Sequence, residues 1–264
     1  MSSDQLSTVK KLSLILESPI GFLIPLDMEI PDAMITLGEL VPSMHHLTDG
    51  IVSLAIANCA KTGKKISCKA GCSMCCSQLI PLSVPEVFFI MDKIRYLPKQ
   101  QQMRTIDRFK EVYQVITDRG MMEKLEAITH TSMKSSADLS AVGREYFGLN
   151  CPCPFLEDNR CAVYDFRPII CREYSVTSDA KNCADPFTKN VEILNLHESR
   201  INDLADVAQR VLSKPRTLVP LPLIFDWYQD NLRLSKVERS ASELFEDLFI
   251  RIMKMKPAEK RSTP

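Results

Sequence analysis

Apolar positions recur at helical spacing through most of this 264-residue chain. After Ser43, the side chains Leu47, Ile51, Leu54 and Ala55 form one stripe, and Gly63 is placed to end the helix they predict. The stretch "PLSVPEVFFIMDKIRYL" predicts a helix entered through a capping box of Ser83 and Glu86, with Pro85 tolerated in its first turn. Between about 99 and 147 the apolar positions Met103, Ile106, Phe109, Val112 and Ile116 predict two or three amphipathic helices. Further on, Ile201, Leu204, Ala205, Ala208, Val211 and Leu212 share one face, as do Ala241, Leu244, Phe245, Leu248 and Ile252. "LPLIFDWYQDNLRL" between them predicts another helix, entered through Pro220 and Pro222.

The helical period breaks in two places. Pro19, Pro25, Pro31 and Pro42 interrupt the first forty residues, which read as a short helix near Val9–Glu17 followed by an extended arm. From Asn150 to Pro186 the chain turns to cysteines, prolines and short apolar pieces. There "CPFLEDNRCAVYDF" predicts two short strands, Pro154–Leu156 and Cys161–Tyr164, around the polar turn Glu157–Arg160. The expected fold is mainly α: an irregular helical domain over 43–256, with a small β-hairpin and cysteine-rich loops organised around a metal site. An N-terminal arm, 1–42, precedes it and a disordered tail, 257–264, follows.

Composition narrows the function class. Apolar residues make up 45% and charged residues 25%, a globular balance, and the net charge of zero removes any electrostatic case for nucleic acid or an acidic membrane surface. The early apolar run is cut by Glu17 and Pro19, which argues against a signal peptide, and no segment approaches the ~18 apolar residues of a membrane span. A cytoplasmic protein is expected. Thiols stay reduced there, so clustered cysteines point to metal or redox chemistry more than to disulfides.

Nine of the ten cysteines fall in two patches: Cys68, Cys72, Cys75 and Cys76, then Cys151, Cys153, Cys161, Cys171 and Cys183. Thiolates are soft, charged donors, and four of them satisfy a tetrahedral zinc ion or one iron–sulfur cube. A spacing such as Cys72-x-x-Cys75 lets one turn of backbone present two sulfurs, and a second pair far along the chain completes a site. Adjacent Cys75 and Cys76 are unusual, because neighbouring side chains in a helix or strand diverge by roughly 100–180°. Either the pair serves two metals, dividing eight cysteines into two four-sulfur sites, or four make one cluster and others stay free. Four thiolates on one zinc leave a charge of about −2, which Lys64, Lys65, Lys69, Arg160, Arg167, Arg172 and Lys181 are placed to offset. Cys59 reads as a small core side chain on its helical stripe. Cys151, flanked by Pro152, reads equally as ligand or bystander.

The order Cys68-x3-Cys72-x2-Cys75-Cys76, then "CPFLEDNRCAVYDFRPIICREY", then Cys183, resembles the zinc- or iron-chelating CxxCxxCC family of YkgJ-like cysteine-cluster proteins. "PLSVPEV" also looks like that family's helix start with its glutamate. The resemblance implies a metal ion as ligand, held by Cys68, Cys72, Cys75, Cys76, Cys153, Cys161, Cys171 and Cys183, with zinc, iron or an iron–sulfur cluster as the cofactor. Flagellin lysine-N-methylases share the pattern. They imply an alternative, an iron–sulfur enzyme that modifies a protein side chain with S-adenosylmethionine, although no glycine-rich turn of the usual methyltransferase kind is present.

Other residues read as structure. Arg167 and Arg172 bracket the turn carrying Cys171 and are expected to neutralise thiolates and pair with Asp165 or Glu173, rather than clamp a carboxylate or phosphate. Tyr164 and Tyr174 are expected to pack over the metal. Glu86 is explained by its capping box, and His45, His46, His130 and His197 show no ligand spacing and read as surface or helix-face residues. No nucleophile–base pair stands out, so the sequence leaves open whether the protein is an enzyme.

Overall fold

The computed structural model describes residues 9–17, 23–130, 136–196 and 199–253. Nine α-helices and four two-stranded antiparallel sheets lie among the described residues. The mainly helical architecture expected from the periodicity is therefore present. The tail 257–264 and His197 lie outside the described residues.

The N-terminal segment departs from its expected form. Val9–Glu17 is not a helix but strand β1, paired antiparallel with β2 (Leu23–Pro31), from Val9 opposite Pro31 to Glu17 opposite Leu23. The physical reason is a period of two: Leu12, Leu14 and Leu16 alternate with Lys11, Ser13 and Ile15, and their register partners are Met28, Leu26 and Ile24. The chain then enters the main core through Ile30, Ile35, Leu37 and Leu40. β3 (Met34–Thr36) pairs with β8 (Glu238–Ser240).

Helix α1 (Val41–Lys61) ends at Thr62, with Gly63 at φ 79° beyond it. Val41, Met44, His45, Leu47 and Thr48 are buried, while Ile51 and Leu54 pack half-buried against the core. The last turns stand out from the body. Ile56 is 37% exposed and Cys59 is half-buried rather than a core side chain. β4 (Pro81–Ser83) pairs with β7 (Leu218–Pro220) and runs straight into α2 (Val84–Arg95), whose N-terminus carries the expected capping box.

The polar middle forms three helices, α3 (Lys99–Asp118), α4 (Met122–Thr129) and α5 (Ser136–Phe147). Phe109 joins the main core, and Val112 and Ile116 join a second core with Met121, Leu125, Ile128 and Val142. Met103 lies outside that stripe, 56% exposed. The hairpin expected after Cys153 is there: β5 (Leu156–Glu157) pairs with β6 (Arg160–Cys161) across Asp158 and Asn159. Both turn residues have positive φ, 49° and 60°, as a type I′ turn demands, and Asp and Asn tolerate this better than most side chains. A short helix α6 (Ile169–Glu173) follows, then α7 (Ile201–Leu212), α8 (Ile224–Asp230) and α9 (Ala241–Met253). The single helix expected across "LPLIFDWYQDNLRL" is divided: 3₁₀ turns at Leu221–Leu223 and Leu232–Lys236 flank α8.

Among the described residues no helix is long and apolar enough to cross a membrane.

Candidate metal centre

The first cysteine segment is a chain of tight turns. Cys72 N–H donates to Lys69 C=O at 3.0 Å, Cys76 N–H to Ser73 C=O at 2.9 Å, and Gln78 N–H to Cys75 C=O at 3.1 Å. Gly71, third in the first of these turns, has φ 83°, a conformation that any side chain would strain. This explains how "CKAGCSMCC" places its sulfurs without a helix. Cys75 and Cys76 lie in a turn rather than in the helix or strand where neighbouring side chains diverge, and the Cys76 thiol is the first cause that raises Cys75.

Backbone and side-chain bonds hold the second segment against the first. Cys153 N–H donates to Cys76 C=O at 2.6 Å, and Ser73 Oγ donates to Asn159 Oδ1 of the hairpin turn at 3.1 Å. Ser67 N–H donates to Val176 C=O at 2.9 Å, while Val176 N–H reaches Cys68 Sγ at 3.4 Å. Gln78 Nε2 donates to Tyr174 Oη at 3.2 Å, and the Tyr174 hydroxyl offsets part of the rise that burial gives the Cys183 thiol. Lys64 bonds Glu192 at 2.8 Å and so is spent on a carboxylate, not on sulfur.

All ten cysteines are free thiols. Thiols of the two segments influence one another electrostatically, and Cys75 bears on Cys68, Cys153, Cys171 and Cys183. Cys68 and Cys183 feel Cys72 and Cys75, and Cys171 feels Cys153, Cys161 and Cys75. Burial is the main cause that raises the thiols of Cys68, Cys161, Cys171 and Cys183, and it pushes Cys153 up to about 12. Cys75 is raised first by its bond to Cys76 and then by burial. Neighbouring sulfurs add to that rise, because several thiolates so close repel one another unless a cation lies between them. Among the described residues, no three Cys, His, Asp or Glu side chains already stand in a metal-holding arrangement.

Residues 67–192 match a family model, CxxCxxCC, described as "Putative zinc- or iron-chelating domain". Residues 67–192 are thus similar to a CxxCxxCC domain. No curated protein and no solved structure matches. The matched range spans α3, α4 and α5 as well as the two cysteine segments.

Within the CxxCxxCC domain, three side chains that carry no sulfur organise the cluster. Glu86 caps two helices at once. Its Oε2 accepts from Ser83 N–H at 2.9 Å and Ser83 Oγ at 2.8 Å, and its Oε1 accepts from Ile169 N–H at 2.8 Å, at the start of the helix that carries Cys171. Arg172 turns away from the sulfurs. It bonds Asp49 Oδ2 at 2.7 Å, Arg167 C=O at 3.1 Å and the Asp165 carbonyl, tying α6 to α1. The expected thiolate-neutralising role is therefore corrected for Arg172. Arg172→Lys keeps the charge but loses the planar fork; urea denaturation is expected to show about 1–3 kcal/mol lost. An unchanged midpoint would mean that the fork is dispensable.

The third is Arg108 of α3, unremarkable in sequence as one polar position on an amphipathic helix. Its Nε donates to Pro154 C=O at 2.8 Å, and its charge bears on Cys153. Its Nη2 is buried with no hydrogen-bond partner. A thiolate-bound metal is an anionic group able to accept that bond, so the donor set fits the family's ligand chemistry.

Other expectations resolve differently. Cys151 packs in the second core, and the charge bearing on its thiol is the Glu111 carboxylate. Tyr164 is 60% exposed under the Arg167 guanidinium, 3.8 Å away, and does not cover the sulfurs. His45 is buried edge-on to Phe89, not on the surface. A cavity of about 430 Å³ lined by Glu126, Leu212, Asp226 and Trp227 contains none of the cysteines.

Proposed function

We propose that the CxxCxxCC domain binds zinc or iron through Cys68, Cys72, Cys75, Cys76, Cys153, Cys161, Cys171 and Cys183. The observation that carries this is the hydrogen bonding that holds the two cysteine segments together, Cys153 N–H to Cys76 C=O and Val176 N–H to Cys68 Sγ, with Cys75 bearing electrostatically on Cys68, Cys153, Cys171 and Cys183. Reduced thiols gathered this way from two segments have no packing advantage over apolar side chains, and they are what a soft cation requires. A held zinc ion would staple 67–76 to 151–183, and iron would add electron transfer. Such chemistry suits a reducing compartment such as the cytoplasm. Lys64 and Arg172 are committed to carboxylates, while Arg108 bears on Cys153 and Arg167 on Cys161.

Protein purified without oxygen is expected to contain zinc or iron by elemental analysis; chain that carries neither, even after reconstitution, overturns the reading. A brown preparation with broad visible absorbance selects an iron–sulfur centre, and a colourless one selects zinc. The methylase version further requires S-adenosylmethionine, which equilibrium dialysis tests directly.

A further inference from the structure

The cavity of about 430 Å³ opens between α4, α7 and α8, and no cysteine lines it. Small side chains on α7 make the room. Ala205 and Ala208 stand three residues apart on one face, both buried, and with Val84 and Leu223 they form an apolar floor. Trp227 of α8 lines one side and is the chain's single tryptophan. Its ring is set against Phe88, with centroids 6.0 Å apart and planes tilted by 36°. Asn231 Nδ2 donates to the Trp227 carbonyl at 2.9 Å, which ties down the end of the helix that carries the ring.

Around this apolar interior the lining is acidic. Glu126 of α4 and Asp226 and Asp230 of α8 are all exposed, and they stand against one lysine, Lys214. Asp226 and Asp230 are four residues apart and share a face of α8. Among the described residues none of the three carboxylates takes part in an ion pair. Glu126 and Asp226 come from different helices, yet both bear on the Tyr113 hydroxyl of α3, which burial and then its bond to Asp226 raise. Carboxylates gathered at a concave, low-dielectric wall focus a negative potential into the space they surround.

We infer that this cavity binds a small organic amine, with its ammonium group among Glu126, Asp226 and Asp230 and its hydrocarbon part on Trp227 and the alanine floor. The volume falls in the range of small-molecule sites, which pair an apolar lining with a few convergent polar groups. An ammonium beside an indole face gains a cation–π attraction besides its carboxylate partners. A bare metal ion would leave the apolar floor unused, and an anion would meet three like charges. The site stands apart from the cysteine segments, so it neither needs the metal-binding reading nor falls with it.

Trp227 supplies the readout, because selective tryptophan excitation reports from this cavity alone. The full chain titrated with cadaverine, a linear diamine, should show a saturable change in emission, and calorimetry should show one equivalent bound. Pentanol keeps the hydrocarbon without the charge, and glutarate reverses the charge; each should bind at least about tenfold more weakly than cadaverine. Asp226→Asn and Glu126→Gln, both at exposed positions, should each weaken cadaverine about tenfold while the urea midpoint stays put. Ala208→Leu should fill the floor and abolish binding. No saturable response and no heat from the unmodified chain overturns the site. Equal affinity for pentanol or glutarate overturns the recognition of an ammonium. Unchanged affinity in both carboxylate variants overturns the role of the acidic lining.

Discussion

Glu86→Ala is expected to cost about 3–5 kcal/mol of folding stability, seen in urea denaturation as a large fall in midpoint with little change in slope. Glu86 is fully buried, and its carboxylate is the acceptor for two backbone N–H groups in different parts of the chain, Ser83 and Ile169. Alanine leaves both donors dry, and each such orphan costs roughly 1–3 kcal/mol. The lost side-chain volume adds a cavity. Burial raises the Glu86 carboxyl, and the Ile169 and Ser83 donors pull it back down. Glu86→Gln keeps one carbonyl oxygen but sets an NH₂ against the other donor, so it should lie between wild type and alanine. Because Ile169 opens the helix that carries Cys171, the alanine variant should also bind metal more weakly. A variant with unchanged stability would mean that water replaces the carboxylate at both helix starts.

Acid is expected to destabilise the protein through His45. This side chain is buried on α1 against Phe89, its Nε2 lacks a hydrogen-bond partner, and Arg172 and Arg167 bring positive charge nearby. Burial first, and then those two guanidinium groups, lower its pKa from 6.5 to about 3. The folded state therefore keeps the imidazole neutral while the unfolded chain takes up a proton below pH 6.5. Stability is fully present above the unfolded value and is lost as pH falls from 6.5 toward 3, at up to about 1.4 kcal/mol per pH unit. Between pH 6.5 and 5 this amounts to about 2 kcal/mol. His45→Leu removes the titrating group and should flatten that part of the curve. Parallel urea titrations of wild type and variant at pH 7 and pH 5 measure the difference, and equal losses in the two proteins would sink the assignment.

Helical periodicity made most of the body legible. Buried positions such as Leu204, Ala205 and Ala208, or Leu244, Phe245 and Leu248, follow directly from the spacing, and the capping box at Ser83 marks where α2 begins. The polar run Glu157–Arg160 marks the hairpin turn, which the structure narrows to Asp158 and Asn159 by pairing Glu157 with Arg160. The leucine-rich stretch at Val9–Glu17 was misread, since short apolar runs fit a period of two almost as well as 3.6. Its partner strand, Leu23–Pro31, contains prolines that suggest an irregular arm.

At the cysteine centre, the ligand candidates were visible in the spacing, but the residues that support them were not. Arg108 looks like any solvent-facing arginine on an amphipathic helix, and only the long-range approach of Pro154 gives it a special position. Its one sequence signal was Arg104, a turn earlier on the same face and converging on the same Glu157. Likewise, the capping box explained Glu86 locally and hid its second partner 83 residues away. His45 was misplaced because burial depends on what packs over a helix, here Phe89 of α2.

The strand pairs enclose the cysteine segments like brackets. β4, just after Cys76, finds its partner at Leu218–Pro220, and outside that pair β3 joins Glu238–Ser240. The matched stretch 67–192 thus borrows part of its frame from sequence that the family does not include. On the ribosome, the thiols near residue 70 emerge long before the strands that will brace them. The β4 edge beside the first cysteine segment is therefore paired only once Leu218–Pro220 has been made.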